Sequence, residues 1–283
     1  MTSATPTLAQ ALAQAYTLGL ARIDAQLLLL HTLARPDAGR AWLLAHDTDA
    51  LDGAAHGQFI ALCQRRLAGE PVAYLTGRKE FYGLPLQVDA RVLDPRPDTE
   101  TLVDWALEAI APLSAPRMVD LGTGSGAIAL ALQSQRADAQ VLAVDASADA
   151  LAVAQTNAQR LGLPVQFQQA NWLAGVEGLF DAIVSNPPYI ASADPHLAAL
   201  THEPLQALAS GTDGLDDIRT IVTQAPAHLR PGGWLLLEHG YDQADAVQAL
   251  LAAQGFAQVQ SRNDLAGIAR CTGGQWPLAQ TVK

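Results

Sequence analysis

Cysteine, basic charge and long apolar runs are all scarce in this chain, and each scarcity excludes something. Only two cysteines occur in 283 residues, Cys63 and Cys271. They stand far apart with no metal-ligand neighbours, so neither a disulfide framework nor a metal site is expected, and both read as small buried hydrophobes. Lysine and arginine total 17 against 28 aspartates and glutamates, a net charge of -11. That balance argues against binding by broad phosphate neutralisation, so no direct nucleic-acid partner is expected. No window approaches the roughly 18 apolar residues that a membrane span needs. The segment Met1 to Gln14 lacks the basic start and continuous apolar stretch of a signal peptide. The expectation is a cytoplasmic protein with no membrane association. Internal repeats and low-complexity tracts are also missing.

What is present is a large core-forming fraction, 49% hydrophobic against 16% charged, as in globular proteins. The first third reads as helical. Leu8, Leu12 and Tyr16 recur at helical spacing, and Ile23, Leu27 and Leu30 continue after Gly19. Asp52 can cap a further helix with the stripe His56, Phe59, Ile60, Cys63 and Leu67. These faces need mutual burial, which predicts a small helical bundle over residues 1–70. His56 reads as a packed or half-exposed residue of that stripe rather than a ligand. Over residues 71–94 aromatic and β-branched residues (Tyr74, Phe81, Tyr82, Val88, Val92) mix with Gly77, Gly83 and Pro85, which predicts a β-hairpin linker. Asp98 can cap a helix running through Trp105 and Ile110.

From residue 95 to 283 short apolar strands alternate with helices, starting at Met118–Leu121 and including a helix over Ala148–Leu161 and a strand over Trp234–Glu238. The alternation predicts an α/β domain with a mainly parallel sheet covered on both faces. The last two strands, Ala257–Ser261 and Gly267–Cys271, are separated by too short a turn for a helical crossover, so they should pair antiparallel. The first strand runs directly into Asp120-Leu121-Gly122-Thr123-Gly124-Ser125-Gly126, and a helix follows. Glycines there permit a sharp turn and a close ligand approach, and the helix start supplies free amides. Asp145 closes the next strand, where an acid can bind ribose hydroxyls. Gly122, Gly124 and Ala127 can also be read as a dinucleotide fingerprint. Asp120 favours a different cofactor, one with an amino-acid tail whose ammonium suits a nearby acid.

After the fourth strand comes Asn186-Pro187-Pro188-Tyr189. An amide or aromatic amino nitrogen is a poor nucleophile because its lone pair is delocalised. An Asn carbonyl and a backbone carbonyl can together accept both of its N–H bonds. They fix the nitrogen and favour its pyramidal form during attack. The prolines hold the loop rigid, and Tyr189 offers a flat face. No general base is demanded; placing the nitrogen opposite a sulfonium methyl is the main contribution.

Six stretches now resemble one family. They are Tyr74–Gly77 with Glu80–Gly83, Pro95-Arg96-Pro97-Asp98-Thr99-Glu100, Asp120–Gly126, Asn186–Tyr189, Glu203–Leu208 and Leu236–Gly240. Together they resemble the protein-glutamine methyltransferases of release-factor type. The resemblance implies a class I, Rossmann-like methyltransferase sheet with an antiparallel terminal strand, behind a helical substrate-docking domain. It implies S-adenosyl-L-methionine as cofactor, bound by Gly122, Thr123, Gly124, Ser125, Gly126, Asp145, Asn171, Trp172 and Asn186, with Trp172 beside the adenine. Asn186, Pro187, Pro188 and Tyr189 would hold the substrate, with Asn186, Pro187 and Tyr189 as the catalytic set. The implied partners are class I peptide chain release factors, modified on the glutamine of their Gly-Gly-Gln loop in support of translation termination. Asn171 stands where an acid is commoner in the family, though its carbonyl can accept the same bond. Asp94 precedes Pro95 where an apolar residue is expected, and Thr201-His202 precede Glu203 where Arg and an aromatic are commoner. The Asn-Pro-Pro-Tyr stretch is shared with adenine methyltransferases of nucleic acids, which are the alternative. Residues 1–85 carry seven basic and seven acidic side chains, so no basic platform for a duplex is visible. The chain's own Gly273-Gly274-Gln275 is read as coincidence.

Overall fold

The protein is described from a computed structural model, over residues 5–278. It divides into two compact units, one up to Arg78 and one from Lys79 onward. The first unit is helical: α1 (Leu8–Thr17), α2 (Arg22–Thr32), α3 (Arg40–Ala45), α4 (Gly53–Leu67) and α5 (Val72–Thr76). Thr7 and Gln10 form a reciprocal capping box at α1, and Asp52 caps α4 through the amide of Ala55. The buried faces differ from the expected stripes. The core of this unit is built from Leu8, Ala11, Ala15, Ala25, Leu28, Leu29, Leu30, Phe59, Leu62 and Cys63, while Ile23, Leu27 and Leu67 are exposed. Small alanines in α1 and α2 leave room for leucines and Phe59 to interdigitate. An alanine-rich face gives little hydropathy contrast, so the sequence points to the larger neighbours instead. Arg66 pairs with Asp24 at 2.7 Å, tying α4 to α2. His56 is half-buried and bonds Gln14, not a metal.

The second unit begins with a hairpin of β1 (Arg78–Phe81) and β2 (Leu84–Gln87). The expected hairpin is therefore shorter than residues 71–94, because Val72–Thr76 closes as a helix on the left-handed cap Gly77. Next comes α6 (Glu100–Ile110), entered through a single 3-10 turn at Pro97–Thr99. Asp98 lies inside that turn and caps nothing; it faces Arg270 at 3.6 Å instead. Then follow β3 (Arg117–Leu121), α7 (Ala127–Gln135), β4 (Gln140–Asp145), α8 (Ala148–Leu161), β5 (Gln166–Gln169), β6 (Phe180–Ser185), α9 (Asp216–Gln224), β7 (Leu229–Glu238), α10 (Ala244–Gln254), β8 (Ala257–Asn263) and β9 (Ala269–Gln275). The seven strands lie in the order β5-β4-β3-β6-β7-β9-β8. All pairs are parallel except β7–β9 and β8–β9. This is the Rossmann-like methyltransferase sheet with its antiparallel end, as expected. Gly273-Gly274-Gln275 is part of β9, paired on both sides, and is structural.

The topology positions the site. The chain winds outward from β3 through β4 to β5, then returns to the other side of β3 with β6. Where the order reverses, the carboxyl ends of β3 and β6 splay and leave a crevice, the usual ligand position in such sheets. Gly122 and Asn186 are the residues that follow those two ends. The Ser185 hydroxyl donates to the Leu121 carbonyl at 2.7 Å, which holds the two ends in register.

Candidate active site

The crevice opens into a cavity of about 420 Å³, within the usual range for small-molecule sites. The expected residues Gly122, Gly124, Asp145, Asn171, Trp172, Asn186 and Pro188 line it. Thr123, Ser125, Gly126, Pro187 and Tyr189 are not part of that wall. Thr123 and Ser125 are buried under the loop, and Gly126 starts α7. The Ser125 carbonyl accepts from Asn157 Nδ2 at 2.9 Å. Asp120 also lies beneath the loop, fully buried. Its Oδ2 accepts from the Thr123 hydroxyl at 2.6 Å and from the Ala129 amide at 3.2 Å. Burial pushes its carboxyl up to about 7 against those two bonds, and Asp145 adds to the rise. Asp120 is thus the internal support of the loop rather than part of the cavity wall.

At the end of β4, Asp145 accepts from the amide of Gly124 through Oδ2 and from that of Ser147 through Oδ1, both at 2.9 Å. Burial raises its pKa while these amides and that of Ala146 oppose the rise. A carboxylate has about four lone-pair sites, so acceptor capacity is left for a diol in the cavity. Opposite, Trp172 sits at a positive φ of 54°, which costs about 1–3 kcal/mol for a bulky residue. Its indole N–H donates to Asp217 at 3.1 Å, which fixes the ring. A side chain at Gly122, itself at φ 69°, would bring Cβ within 3.2 Å of that ring. The glycine therefore lets the loop and the indole share one narrow wall.

On the other side, Asn186 Nδ2 donates to the Thr99 hydroxyl at 3.2 Å. The amide is thereby anchored by its nitrogen, and Oδ1 is left to accept from a ligand. Behind it Arg96 pairs with Glu203 Oε1 at 2.6 Å, and Glu203 Oε2 accepts the Asp94 amide at 3.2 Å. Asp94 is half-screened by Lys79 and Arg96, at 3.2 and 3.6 Å, which explains how a charge is tolerated where an apolar residue was expected. The Pro95–Glu100 and Glu203–Leu208 stretches thus form one brace behind the Asn-Pro-Pro-Tyr loop. Burial holds the Tyr189 phenol well above its usual range, with Glu238 adding to it. Tyr189 is therefore a neutral ring at working pH. Its backbone carbonyl accepts from Gln243 Nε2 at 3.0 Å.

The sequence reading did not place several wall residues in the site: Arg91, Val92 and Leu93, then Ser147 and Asp217, with Pro204 and Gln206 named only as part of the Glu203–Leu208 stretch. Asp217 had a usable signal. It begins a helix, and its partner Trp172 was already singled out. The others contribute through position in loops, which no residue-type pattern announces.

The fold and this site define a methyltransferase. A methyltransferase small domain model matches residues 99–262, and a PrmC N-terminal domain model matches residues 6–77. The release factor glutamine methyltransferase of Xylella fastidiosa strain Temecula1 is 51% identical over 271 residues, covering 94% of this chain and 98% of that protein. The Burkholderia pseudomallei protein of the same name is 49% identical over 265 residues, covering 90% and 92%. Among solved structures, the 16S rRNA N2 G1207 methyltransferase of T. thermophilus, in complex with AdoMet and guanosine, superposes with a TM-score of 0.54 at 20% identity. It covers 70% of this chain and 49% of that one, and it shows the fold alone. The chain belongs to the release factor glutamine methyltransferase family.

Proposed function

We propose that this protein transfers a methyl group from S-adenosyl-L-methionine to the side-chain amide nitrogen of the glutamine in the Gly-Gly-Gln loop of class I peptide chain release factors, in support of translation termination. The cavity's chemistry fits the cofactor. Asp145 offers acceptors for a ribose diol. Trp172, Val92, Leu93 and Ala150 give apolar walls for a purine, and Asn171 has a carbonyl for its amino group. When bound, the cofactor supplies an electrophilic methyl on sulfur.

The observation that carries the reading is the Asn186 amide, held by its nitrogen on Thr99 in a residue that lines the cavity, which leaves Oδ1 as the acceptor we assign to the substrate. Its carbonyl and that of Pro187, which follows it just outside the cofactor cavity wall, accept the two N–H bonds of the substrate amide and hold its lone pair in line for attack. The amide proton becomes acidic only as the methyl group is added, so no strong base is called for. The paired chemistry of Arg96, Glu203 and Asp94 keeps the loop from drifting. We assign residues 1–70 the docking of the release-factor body, since that unit carries no chemical motif.

The test is single-turnover transfer from labelled cofactor to a release factor, with the label mapped by mass spectrometry. A release factor whose Gly-Gly-Gln glutamine is replaced by alanine should stay unlabelled. Asn186→Ala should lower the transfer rate about a hundredfold or more, as for loss of one preorganised polar contact. Melting temperature and cofactor affinity should move little, because Pro187 and Pro188 set the loop backbone. Near-normal transfer by that variant would remove Asn186 from the mechanism. Label in DNA rather than in the release factor would favour the adenine-methyltransferase reading.

A further inference from the structure

Glu238 ends β7 beside the Asn-Pro-Pro-Tyr loop. Ser185 of β6 pairs with Leu237, so Asn186 and Glu238 leave the two strands next to each other. The Glu238 side chain is sealed from solvent, with the residue 1% exposed. Its Oε2 has no hydrogen-bond partner among the described residues, and Thr99 and Asn186 lie close enough to the carboxyl group to favour its ionised form. Thr99 Oγ1 in turn accepts from Asn186 Nδ2 at 3.2 Å. A hydroxyl has one proton to give. With Asn186 donating to it, Thr99 keeps its own proton free for an acceptor, and the buried Glu238 carboxylate beside it has an unpartnered oxygen to offer.

The direction of this chain matters. An ionised carboxylate accepts only, whereas an amide or a hydroxyl can do both. Facing a carboxylate, Thr99 must point its proton inward, and Asn186 must present its NH2 to Thr99. The Asn186 carbonyl then has one place to go, which is the cavity. Reversing any one link would turn the NH2 outward, donor against the donors of a substrate amide.

We propose that Glu238 is a positioning residue for the transfer step: as an acceptor-only carboxylate it sets the Thr99 hydroxyl and thereby the Asn186 amide, so that Oδ1 faces the substrate nitrogen. This rests on the amide-nitrogen reading given above.

The chain predicts a pH dependence. Burial pushes the Glu238 carboxyl up to about 7; Thr99, Arg270 and Asn186 oppose the rise, and Asp98 adds to it. The charged and titratable groups facing it are thus Asp98 from the turn before α6, Arg270 and Cys271 from β9, and Tyr189 from the loop. Burial raises the Cys271 thiol and the Tyr189 phenol, so both stay neutral. Protonated Glu238 regains a donor, and the chain can then run backwards. Transfer should fall as the pH drops through that range.

The test uses the full chain and a class I release factor. Glu238→Gln keeps the shape but offers both a donor and an acceptor. Its single-turnover rate at pH 8 should fall by about tenfold, as when a charge-assisted bond becomes a neutral one. Cofactor affinity and the KM for release factor should stay within about twofold, since the loss is confined to the transition state. The wild-type rate should show an acidic limb that the variant lacks. Burial also pushes the Asp120 carboxyl up to about 7, but it lies under the cofactor loop, and its limb would follow cofactor affinity and persist in Glu238→Gln. Thr99→Val, which breaks the chain with Glu238 intact, should slow transfer similarly and serves if the first variant misfolds. A wild-type rate and pH profile in a folded Glu238→Gln protein would overturn the proposal, as would a loss expressed only in KM or cofactor affinity. A wild-type protein inert on release factor would overturn the substrate reading and this inference with it.

Discussion

Asn157 touches no ligand, yet much of the site hangs on it. It lies on α8 with no solvent exposure, and its amide is fully used. Oδ1 accepts the Gln87 amide at 2.7 Å; Nδ2 donates to the Gln87 carbonyl and to the Ser125 carbonyl, both at 2.9 Å. One side chain thus joins the β2 edge to the glycine loop. Only an amide has both a donor pair and an acceptor at that spacing. Asn157→Leu fills the volume but leaves an N–H and two carbonyls unmet, each worth about 1–3 kcal/mol when buried. We expect a loss of about 2–4 kcal/mol of stability in urea denaturation, after allowing for partial relaxation. Asn157→Asp should do no better, since it keeps the acceptor but sets a carboxylate against two carbonyl oxygens. An Asn157→Leu protein as stable as the parent would show that the loop is held by its own backbone. Asn157 was invisible in the sequence because its partners are backbone atoms 70 and 32 residues away.

At the level of elements, the Asn-Pro-Pro-Tyr loop is steadied by a second segment that the motif itself does not contain. Ile190 bridges to Ala209 in parallel, and the amide of Ser192 bonds the Gly211 carbonyl. Gln243 joins them, donating to the Tyr189 and Asp213 carbonyls at 3.0 and 3.3 Å. Gly214, at φ 77°, is the point of closest approach: a Cβ there would lie 2.2 Å from the Tyr189 carbonyl oxygen and 2.8 Å from Gln243 Nε2. Gly214→Ala therefore has to move the loop backbone as well as bear a strain of about 1–3 kcal/mol. We expect transfer to fall by roughly tenfold or more, since misplacement of about 1 Å costs up to a hundredfold. Calorimetry should find cofactor affinity nearly unchanged, because Gly214 is outside the cavity wall. Equal losses in binding and in transfer would point to general unfolding instead. Such elements differ in how legible they are. The helix over 148–161 is found at its expected bounds, since Ser147 caps it and Gly162 ends it. The strand expected over 234–238 starts earlier, at Leu229, because Pro231-Gly232-Gly233 reads as a turn but continues along the sheet edge of β6 past a register shift. The final turn is built on Asp264, whose Oδ1 collects the amides of Ala266 and Ile268. Motif residues near backbone turns were legible; walls such as Arg91–Leu93, made of ordinary residues brought in by loops, were not.

The molecule as a whole separates two tasks. The unit from Lys79 onward contains every residue of the cavity and its brace, and the sheet that positions them. The unit up to Arg78 has its own buried core, its own helix caps and its own ion pair between Arg66 and Asp24. Its charge is balanced while the full chain carries -11, which argues against binding by broad phosphate neutralisation. If it docks a protein substrate, a chain beginning at Lys79 should keep cofactor binding and lose productive encounter with release factor. Where the cut falls matters. The hairpin belongs with the catalytic unit, because the Tyr82 amide donates to Glu100 at 2.9 Å and Gln87 bonds Asn157. A cut near Pro85, suggested by the hairpin's look as a linker, would strip those bonds and confuse loss of docking with loss of folding. With the cut at Lys79, calorimetry should report cofactor affinity within about threefold of the full chain, since no cavity residue is removed. Methylation of intact release factor should fall through kcat/KM by about a hundredfold or more, the share of a standard docking interface. A short peptide carrying Gly-Gly-Gln, which has no body to dock, should be methylated slowly and equally by both proteins. Retention of full activity on intact release factor by the truncated chain would show that the catalytic unit recognises its substrate unaided.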